Sequence, residues 1–102
     1  MLTELNTDSL DKEIEQNDKV LVQFSASWCG NCRITKPKFK KLASQNENIS
    51  FVYVNAEAYP KSRAFAEVSN LPTFASFKNK ELLSQDMGNK IEVINEVLNK
   101  LK

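Results

Sequence analysis

Short apolar runs alternate along the chain with stretches of helical periodicity, and these runs predict the strands of a sheet. The segments VLVQF at 20–24 and FVYV at 51–54 are rich in β-branched and aromatic residues, which is typical of strands buried on both faces. TFASF at 73–77 and ELLSQDM at 81–87 flank the polar segment KNK, and this arrangement predicts a hairpin. LTEL at 2–5 is a candidate edge strand.

Four further segments have the apolar spacing of helices. The first follows the candidate capping residues Thr7, Asp8 and Ser9, and the third is expected to start at Pro60. The second begins at residue 31 or 32, and the fourth lies within 89–102. Their apolar stripes consist of Leu10 and Ile14; Cys32, Thr35, Phe39, Leu42 and Ala43; Phe65 and Val68; and Ile91, Ile94, Leu98 and Leu101. The resulting order, β-α-β-α-β-α-β-β-α, predicts a layered α/β domain.

Length and composition predict one globular domain over residues 1–102, with 41% apolar and 26% charged residues. The net charge is +1, so no overall field favours nucleic acid or a membrane, and we expect neither as a partner. The N-terminal residues show neither the basic nor the apolar segment of a secretory signal. No apolar run approaches the roughly 20 residues that span a bilayer. We therefore expect a cytoplasmic protein.

The candidate chemistry lies in SASWCGNCRITKP at 25–37, where the two cysteines of the chain are separated by Gly30 and Asn31. This segment joins the strand that ends near Phe24 to the second helix. Cys29 then lies at the helix start, where free N–H groups and the helix dipole favour a thiolate and lower the pKa of this cysteine. Cys32 belongs to the apolar stripe and should point inward. We expect an exposed attacking sulfur beside a buried resolving sulfur.

Other uses of the cysteine pair fit the sequence less well. A structural zinc site needs about four ligands, whereas the chain has two cysteines and no histidine, so we expect no metal. A structural disulfide that closes so short a loop contributes only roughly 2 kcal/mol in the chain-entropy model. Cysteine–histidine catalysis is excluded because there is no histidine. A chance pair of buried cysteines is the alternative that the residues leave open, and redox exchange is the interpretation they favour.

The segment WCGNC at 28–32, with Pro37 after it, resembles the W-C-G-P-C active site of the thioredoxin family. NLPTF at 70–74 is similar to the family's cis-proline loop, FKNKE at 77–81 to its hairpin turn, and Gly88 to a glycine near its disulfide. The resemblance implies a three-layer α/β/α sandwich with a mixed sheet of about five strands and four helices. It also implies a cis Leu71–Pro72 bond.

The function that the resemblance implies is thiol–disulfide exchange by a general protein-disulfide reductase, through a redox-active Cys29–Cys32 disulfide. Electrons would come from a thioredoxin reductase, because the chain has no glycine-rich loop for a nicotinamide or flavin and we expect no further cofactor. A dedicated or more oxidising protein with one partner, and a binding module with little turnover, are the alternatives. The expected substrate-binding residues are Trp28, Gly30, Asn31, Leu71, Pro72 and Gly88, with Trp28 as an exposed plate beside Cys29.

The chain departs from the family pattern around its proton-handling machinery. Asn31 replaces the usual proline, and Gln23 occupies the position of a buried aspartate. Tyr53 lies where the lysine partner of that aspartate is common, Ser25 replaces a frequent aromatic residue, and Lys80 replaces a turn glycine. These departures leave the sulfur chemistry intact. They predict an altered redox potential and an altered proton route for the resolving cysteine.

Overall fold

The computed structural model describes residues 2–102 and contains a five-stranded mixed sheet with four helices. The elements are β1 Leu2–Glu4, α1 Leu10–Gln16, β2 Lys19–Ser25, α2 Gly30–Gln45, β3 Ser50–Asn55, α3 Pro60–Arg63, β4 Thr73–Lys78, β5 Glu81–Met87 and α4 Ile91–Asn99. The strand order is β1-β3-β2-β4-β5, with β1, β2 and β3 parallel and β4 antiparallel to both of its neighbours. The predicted architecture, including the edge strand, is confirmed.

Two apolar cores lie on opposite faces of the sheet. On one face, Leu10 and Ile14 of α1 pack with Val22 and Phe24 of β2. On the other, Phe39 of α2 packs with residues of α4 and the sheet, and its ring lies 5.1 Å from that of Phe51 and 6.1 Å from that of Phe74. Because successive side chains of a strand alternate between faces, Gln23 shares the α2 face of the sheet. This alternation places a polar side chain under the cysteine helix.

The predicted hairpin is confirmed, whereas the third helix is shorter than the sequence indicates. Asn79 and Lys80 both have positive φ, 50° and 73°, as the tight turn between β4 and β5 requires. The helix that starts at Pro60 was expected to carry Phe65 and Val68, but it ends at Arg63. Phe65 is 39% exposed, and Val68 reaches the core from the loop beyond the helix. Within residues 2–102, none of the helices has the length and apolarity needed to cross a membrane.

Asp8 was expected among the capping residues of α1, but its carboxylate binds the start of α3. It accepts hydrogen bonds from the backbone N–H groups of Lys61 at 3.0 Å and Ser62 at 2.7 Å, and from the Ser62 hydroxyl at 2.7 Å. The buried Ser62 hydroxyl in turn accepts from the N–H of Leu10 at 3.1 Å. One carboxylate therefore joins the starts of two helices that begin fifty residues apart in the sequence.

Replacing Asp8 with asparagine should destabilise the fold in a pH-dependent manner. Desolvation raises the pKa of Asp8, but the Ser62 hydroxyl, the two N–H groups and the Lys61 charge together outweigh it and lower the pKa below 3.8. A lowered folded-state pKa stabilises the protein above the unfolded-state value and loses that effect as the pH falls through the folded-state value. Urea unfolding should show a lower midpoint for Asp8→Asn at pH 7 and a smaller difference near pH 3. The matched control, Asp11→Asn on α1, should change the midpoint little at either pH.

Candidate active site

The two cysteines lie at the start of α2, immediately beyond the carboxyl end of β2. Cys29 is the N-cap residue, and its sulfur accepts a hydrogen bond from the N–H of Cys32 at 3.2 Å. The two residues form a disulfide, with their Cα atoms 5.3 Å apart. An N–H group aimed at a sulfur favours negative charge on that sulfur, as does the N-terminal end of the helix dipole. The geometry therefore supports Cys29 as the sulfur that carries charge in the reduced protein.

Cys29 is less exposed than the sequence predicted. Cys29 is only 5% exposed and Cys32 is 0% exposed, and both pack with Ala26 and Leu71 in a small apolar cluster. Leu71 covers the pair because its loop lies across the end of the sheet, which the local sequence around the cysteines cannot show. Cys29 is still the more accessible of the two, so an incoming disulfide would reach its sulfur first.

The loops expected around the sulfurs come together in the structure. The Leu71–Pro72 bond is cis, as the resemblance implied, and the Pro72 carbonyl accepts from the N–H of Gly88 at 3.1 Å. Gly88 has φ of +133°, a backbone conformation that residues with a side chain rarely adopt. Trp28 is 67% exposed beside Cys29, which confirms its expected place at the surface. These residues form a surface next to the disulfide that an extended segment could contact.

Asn31 makes a contact that the sequence did not predict. Its Oδ1 accepts a hydrogen bond at 3.1 Å from Nδ2 of Asn89, the residue after Gly88. The side chain of Asn31 therefore bridges to the loop that precedes α4. The N–H of Asn31 lies in the first turn of α2, where backbone donors have no intrahelical acceptor. A proline at this position would remove both the bridge and this donor.

Gln23 lies under the first turn of α2 and is fully buried. Its Nε2 lies 2.9 Å from the Thr35 hydroxyl, 3.0 Å from the Ser25 hydroxyl and 3.3 Å from the Cys32 carbonyl. The Thr35 hydroxyl can itself donate to the carbonyl of Cys32 or Asn31, each at 3.1 Å. This buried polar cluster positions the backbone of the resolving cysteine. Gln23 serves it as a hydrogen-bond donor, which an ionised aspartate at this position could not do.

The amide oxygen of Gln23 has no donor among residues 2–102. A buried acceptor without a partner costs roughly 1–3 kcal/mol. Gln23 contacts the Cys32 carbonyl through its amide nitrogen alone. A replacement that satisfies this oxygen, or removes it, would change both stability and the environment of the sulfurs.

A cleft of about 250 Å³ opens on the strand side of this cluster and reaches Ser25. At its edge Lys36 forms an ion pair with Glu4 at 2.9 Å, and the Lys36 ammonium lies 4.5 Å from the ring centre of Tyr53. Tyr53 is paired with Gln23 across the β2–β3 ladder. Lys36 of α2 thus places a cation beside Tyr53, at a position where the family commonly has a lysine. The carboxylate of Glu4 already neutralises this charge.

Sequence reasoning missed Thr35 and Asn89 as contributors to the site. Thr35 was assigned only to the apolar stripe of α2. The available signal was its polar hydroxyl on a buried stripe, one turn after Cys32. Asn89 carried no such signal, because its partner Asn31 is distant in the sequence and the contact depends on how the loops fold together.

A C-x-x-C pair lies at the start of a helix that packs on a five-stranded mixed sheet, and a cis-proline loop lies opposite the pair. This arrangement defines a thiol–disulfide oxidoreductase. The family profile described as Thioredoxin matches residues 1–100, and the chain belongs to the thioredoxin family. The prediction made from WCGNC and NLPTF is confirmed.

Known proteins similar to this chain support the same assignment. The thioredoxin of Oryctolagus cuniculus is 32% identical over 104 residues, which cover 99% of this chain and 99% of that protein. The reduced thioredoxin pre-protein of Schistosoma mansoni is 33% identical with a TM-score of 0.89, covering 99% of this chain and 98% of that one. Thioredoxin domain-containing protein 2 of Mus musculus is 35% identical over 83 residues, or 81% of this chain, which spans only 16% of that longer protein.

Proposed function

We propose that the chain is a general protein-disulfide reductase that works by dithiol exchange. The observation that carries this proposal is the sulfur pair itself: Cys29 caps a helix and accepts the Cys32 N–H, while Cys32 is wholly buried one turn later. An accessible attacking sulfur and a shielded resolving sulfur are what sequential exchange requires.

The reaction begins with the reduced dithiol. The Cys29 thiolate attacks one sulfur of a substrate disulfide, forms a mixed disulfide and displaces the other substrate sulfur as a thiolate, which takes up a proton. Cys32 then loses its proton and attacks Cys29, which releases the second substrate thiolate and forms the Cys29–Cys32 disulfide. Two electrons pass from the protein to its substrate. Leu71 and Gly88 offer backbone groups beside the sulfurs, where an extended segment could pair, and Trp28 offers an apolar plate.

The oxidised protein needs an electron donor to complete the cycle. We propose a thioredoxin reductase in this role and no cofactor beyond the redox-active disulfide, with protein disulfides as substrates and the cytoplasm as the location. The family membership and the lack of a glycine-rich phosphate-binding loop in the sequence support these assignments.

Reduction of insulin disulfides, with dithiothreitol or with a thioredoxin reductase and its nicotinamide donor, tests the proposal. A general reductase accelerates insulin reduction with either electron source. A dedicated or more oxidising protein would exchange with small disulfides but reduce insulin slowly, and Gln23 and Asn31 are the residues that favour this second candidate. A binding module would show no turnover with any disulfide, which would contradict both.

The variant Asn31→Pro should make the protein more reducing. The N–H of Asn31 lies in the first turn of α2, which Cys29 caps, and free donors in that turn favour the thiolate form over the disulfide. Loss of this backbone donor beside the sulfur should lower the reduction potential by on the order of 30 mV, or about tenfold in the equilibrium constant with glutathione. Equilibration with glutathione, followed through the fluorescence of Trp28, measures the change.

Two control variants separate the backbone effect from the side-chain effect. Asn31→Ala keeps the N–H but loses the bridge to Asn89, and Asn89→Ala removes the same bridge from its other end. Both should leave the potential close to that of the unmodified protein. An unchanged or raised potential in Asn31→Pro would contradict the mechanism, and an equal decrease in all three variants would assign the effect to the bridge.

A further inference from the structure

The solvent side of α2 carries positive charge only. Residues 30–45 contain no aspartate or glutamate, although the whole chain is nearly neutral with 14 basic and 13 acidic residues. The basic residues of this helix are Arg33, Lys36, Lys38, Lys40 and Lys41. Glu4 and Glu47 lie beside the helix, next to Lys36 and Lys40 respectively, but positive charge still predominates on it.

This charge begins at the reactive sulfurs. Arg33 directly follows Cys32, and its guanidinium donates to the carbonyl of Ser27 in the active-site loop at 3.3 Å. Lys36 forms the one ion pair found among residues 2–102, with Glu4. The other four cations of α2 therefore have no carboxylate partner within the described part of the chain. Their charge is available to an approaching molecule.

The surface between these cations forms a groove and is partly apolar. A shallow groove of about 480 Å³ is lined by Arg33, Lys36, Pro37 and Lys40. Ile34 is 54% exposed beside it, in addition to the exposed Trp28 at the active-site end of the helix. The face from residue 33 to residue 41 is about 12 Å long, which corresponds to roughly four residues of extended chain. It can contact a short peptide segment through both charge and apolar area.

Helix α1, on the opposite face of the sheet, has the opposite charge. The α1 helix, which packs in the other core, carries Asp11, Glu13 and Glu15 against a single lysine, Lys12. An acidic molecule is thus attracted to α2 and repelled from α1, and α2 is the helix that borders the disulfide. Such an arrangement orients a partner as well as attracting it.

We propose that the solvent face of α2, over residues 33–41, is a docking surface for protein substrates that carry a run of about four acidic residues next to their disulfide. The inference rests on the proposed reductase function. Carboxylates of the substrate contact Arg33, Lys40 and Lys41 while its disulfide lies at Cys29. The effect appears in the rate of encounter, because charges at the edge of a contact act chiefly on association.

Peptides that differ only in charge provide the test. Three disulfide-containing peptides of one length are compared, with four glutamates, four glutamines or four lysines next to the disulfide. The second-order rate constant of the reduced protein with each peptide is divided by that of dithiothreitol, an uncharged dithiol, to remove the intrinsic effect of the flanking charges. The acidic peptide should react about tenfold faster than the basic one at low ionic strength, and the preference should shrink towards unity near 0.5 M salt.

The double variant Lys40→Glu/Lys41→Glu should abolish the preference for the acidic peptide. Both lysines are exposed and distant from the sulfurs, so the rate with the glutamine peptide should not change. The matched control Lys12→Glu/Lys78→Glu makes the same change in net charge on α1 and at the far end of β4. This control should keep most of the preference.

The outcomes separate this inference from the function on which it rests. Failure to reduce bis(2-hydroxyethyl) disulfide, a small uncharged substrate, would contradict the reductase function itself. Reduction of that compound with no charge preference among the peptides would overturn only the docking surface, as would an equal loss of preference in both double variants. Binding of a single-stranded oligonucleotide at α2 without a peptide preference would assign the face to nucleic acid. Self-association that Lys40→Glu/Lys41→Glu abolishes would assign it to a second copy, and either result overturns the proposal.

Discussion

Replacing Cys29 with serine is expected to abolish disulfide exchange, lowering the rate by roughly three orders of magnitude or more. A serine hydroxyl is not ionised at neutral pH, and the remaining sulfur of Cys32 is 0% exposed beneath it. Replacing Cys32 should have a different effect. Attack by Cys29 continues, but no resolving sulfur follows, so a covalent mixed disulfide with the substrate accumulates.

Mass spectrometry of the trapped species distinguishes the two roles. Incubation of Cys32→Ser with oxidised substrate should yield an adduct linked through Cys29, and dithiothreitol should release it. The Cys29→Ser variant should yield none, and the double serine variant controls for non-covalent association. An adduct through Cys32 in the Cys29→Ser protein would reverse the assignment of the attacking sulfur. Circular dichroism of each variant shows that the fold is retained.

The sheet and three of its four helices were predictable because local hydrophobic periodicity determines them. The apolar run at residues 20–24 belongs to a strand that covers Lys19–Ser25. The position of the cysteines, at the junction between this strand and a helix, follows from that strand. The extent of α3 was not predictable in this way. Phe65 and Val68 have helical spacing, but the chain leaves the helix at Arg63 and brings only Val68 into the core. Tertiary packing determines where α3 ends, and hydrophobic periodicity does not predict it.

In the site, too, the features that depend on local sequence were predictable, and those that depend on distant residues were not. The roles of Cys29 and Cys32 follow from the helix start, whereas the cover that Leu71 places over them depends on a loop about forty residues away. The bridge between Asn31 and Asn89 and the binding of Asp8 to the start of α3 are similar cases. In these two polar contacts, no sequence pattern pairs the residues. The identity of Gln23 could be read from the sequence, but its three contacts could not.

Apart from Cys32 itself, Gln23 is the residue whose replacement should change the resolving step most. Before Cys32 can attack the mixed disulfide its thiol must lose a proton, and a buried thiol ionises reluctantly because burial disfavours the thiolate. A carboxylate close to the sulfur can accept that proton, whereas the amide of Gln23 cannot at any relevant pH. The resolving step of the unmodified protein should therefore accelerate steeply as the pH rises.

The variant Gln23→Asp should accelerate resolution near neutral pH and flatten its pH dependence. The Ser25 and Thr35 hydroxyls that now contact the amide are able to donate to a carboxylate, so the new group has partners available. It will also destabilise the protein by roughly 2–4 kcal/mol at neutral pH, because Lys36 is already paired with Glu4. Burial raises the pKa of a carboxyl group, so this cost vanishes below the unfolded-state value of about 3.9 and grows as the pH rises above it.

Single-turnover decay of a preformed mixed disulfide, measured from mildly acidic to basic pH, gives the rate of resolution directly. The matched control is Gln23→Asn, which has the length of aspartate but cannot accept the proton. Asparagine should slow resolution or leave it unchanged while retaining the steep pH dependence, because its shorter side chain lengthens or loses the contact to the Cys32 carbonyl without adding a base. If the aspartate and asparagine variants show the same profile, the proton leaves Cys32 by a route that does not pass residue 23. The Ser25 side of the cluster, which opens to the cleft beside Tyr53, would then be the next place to substitute.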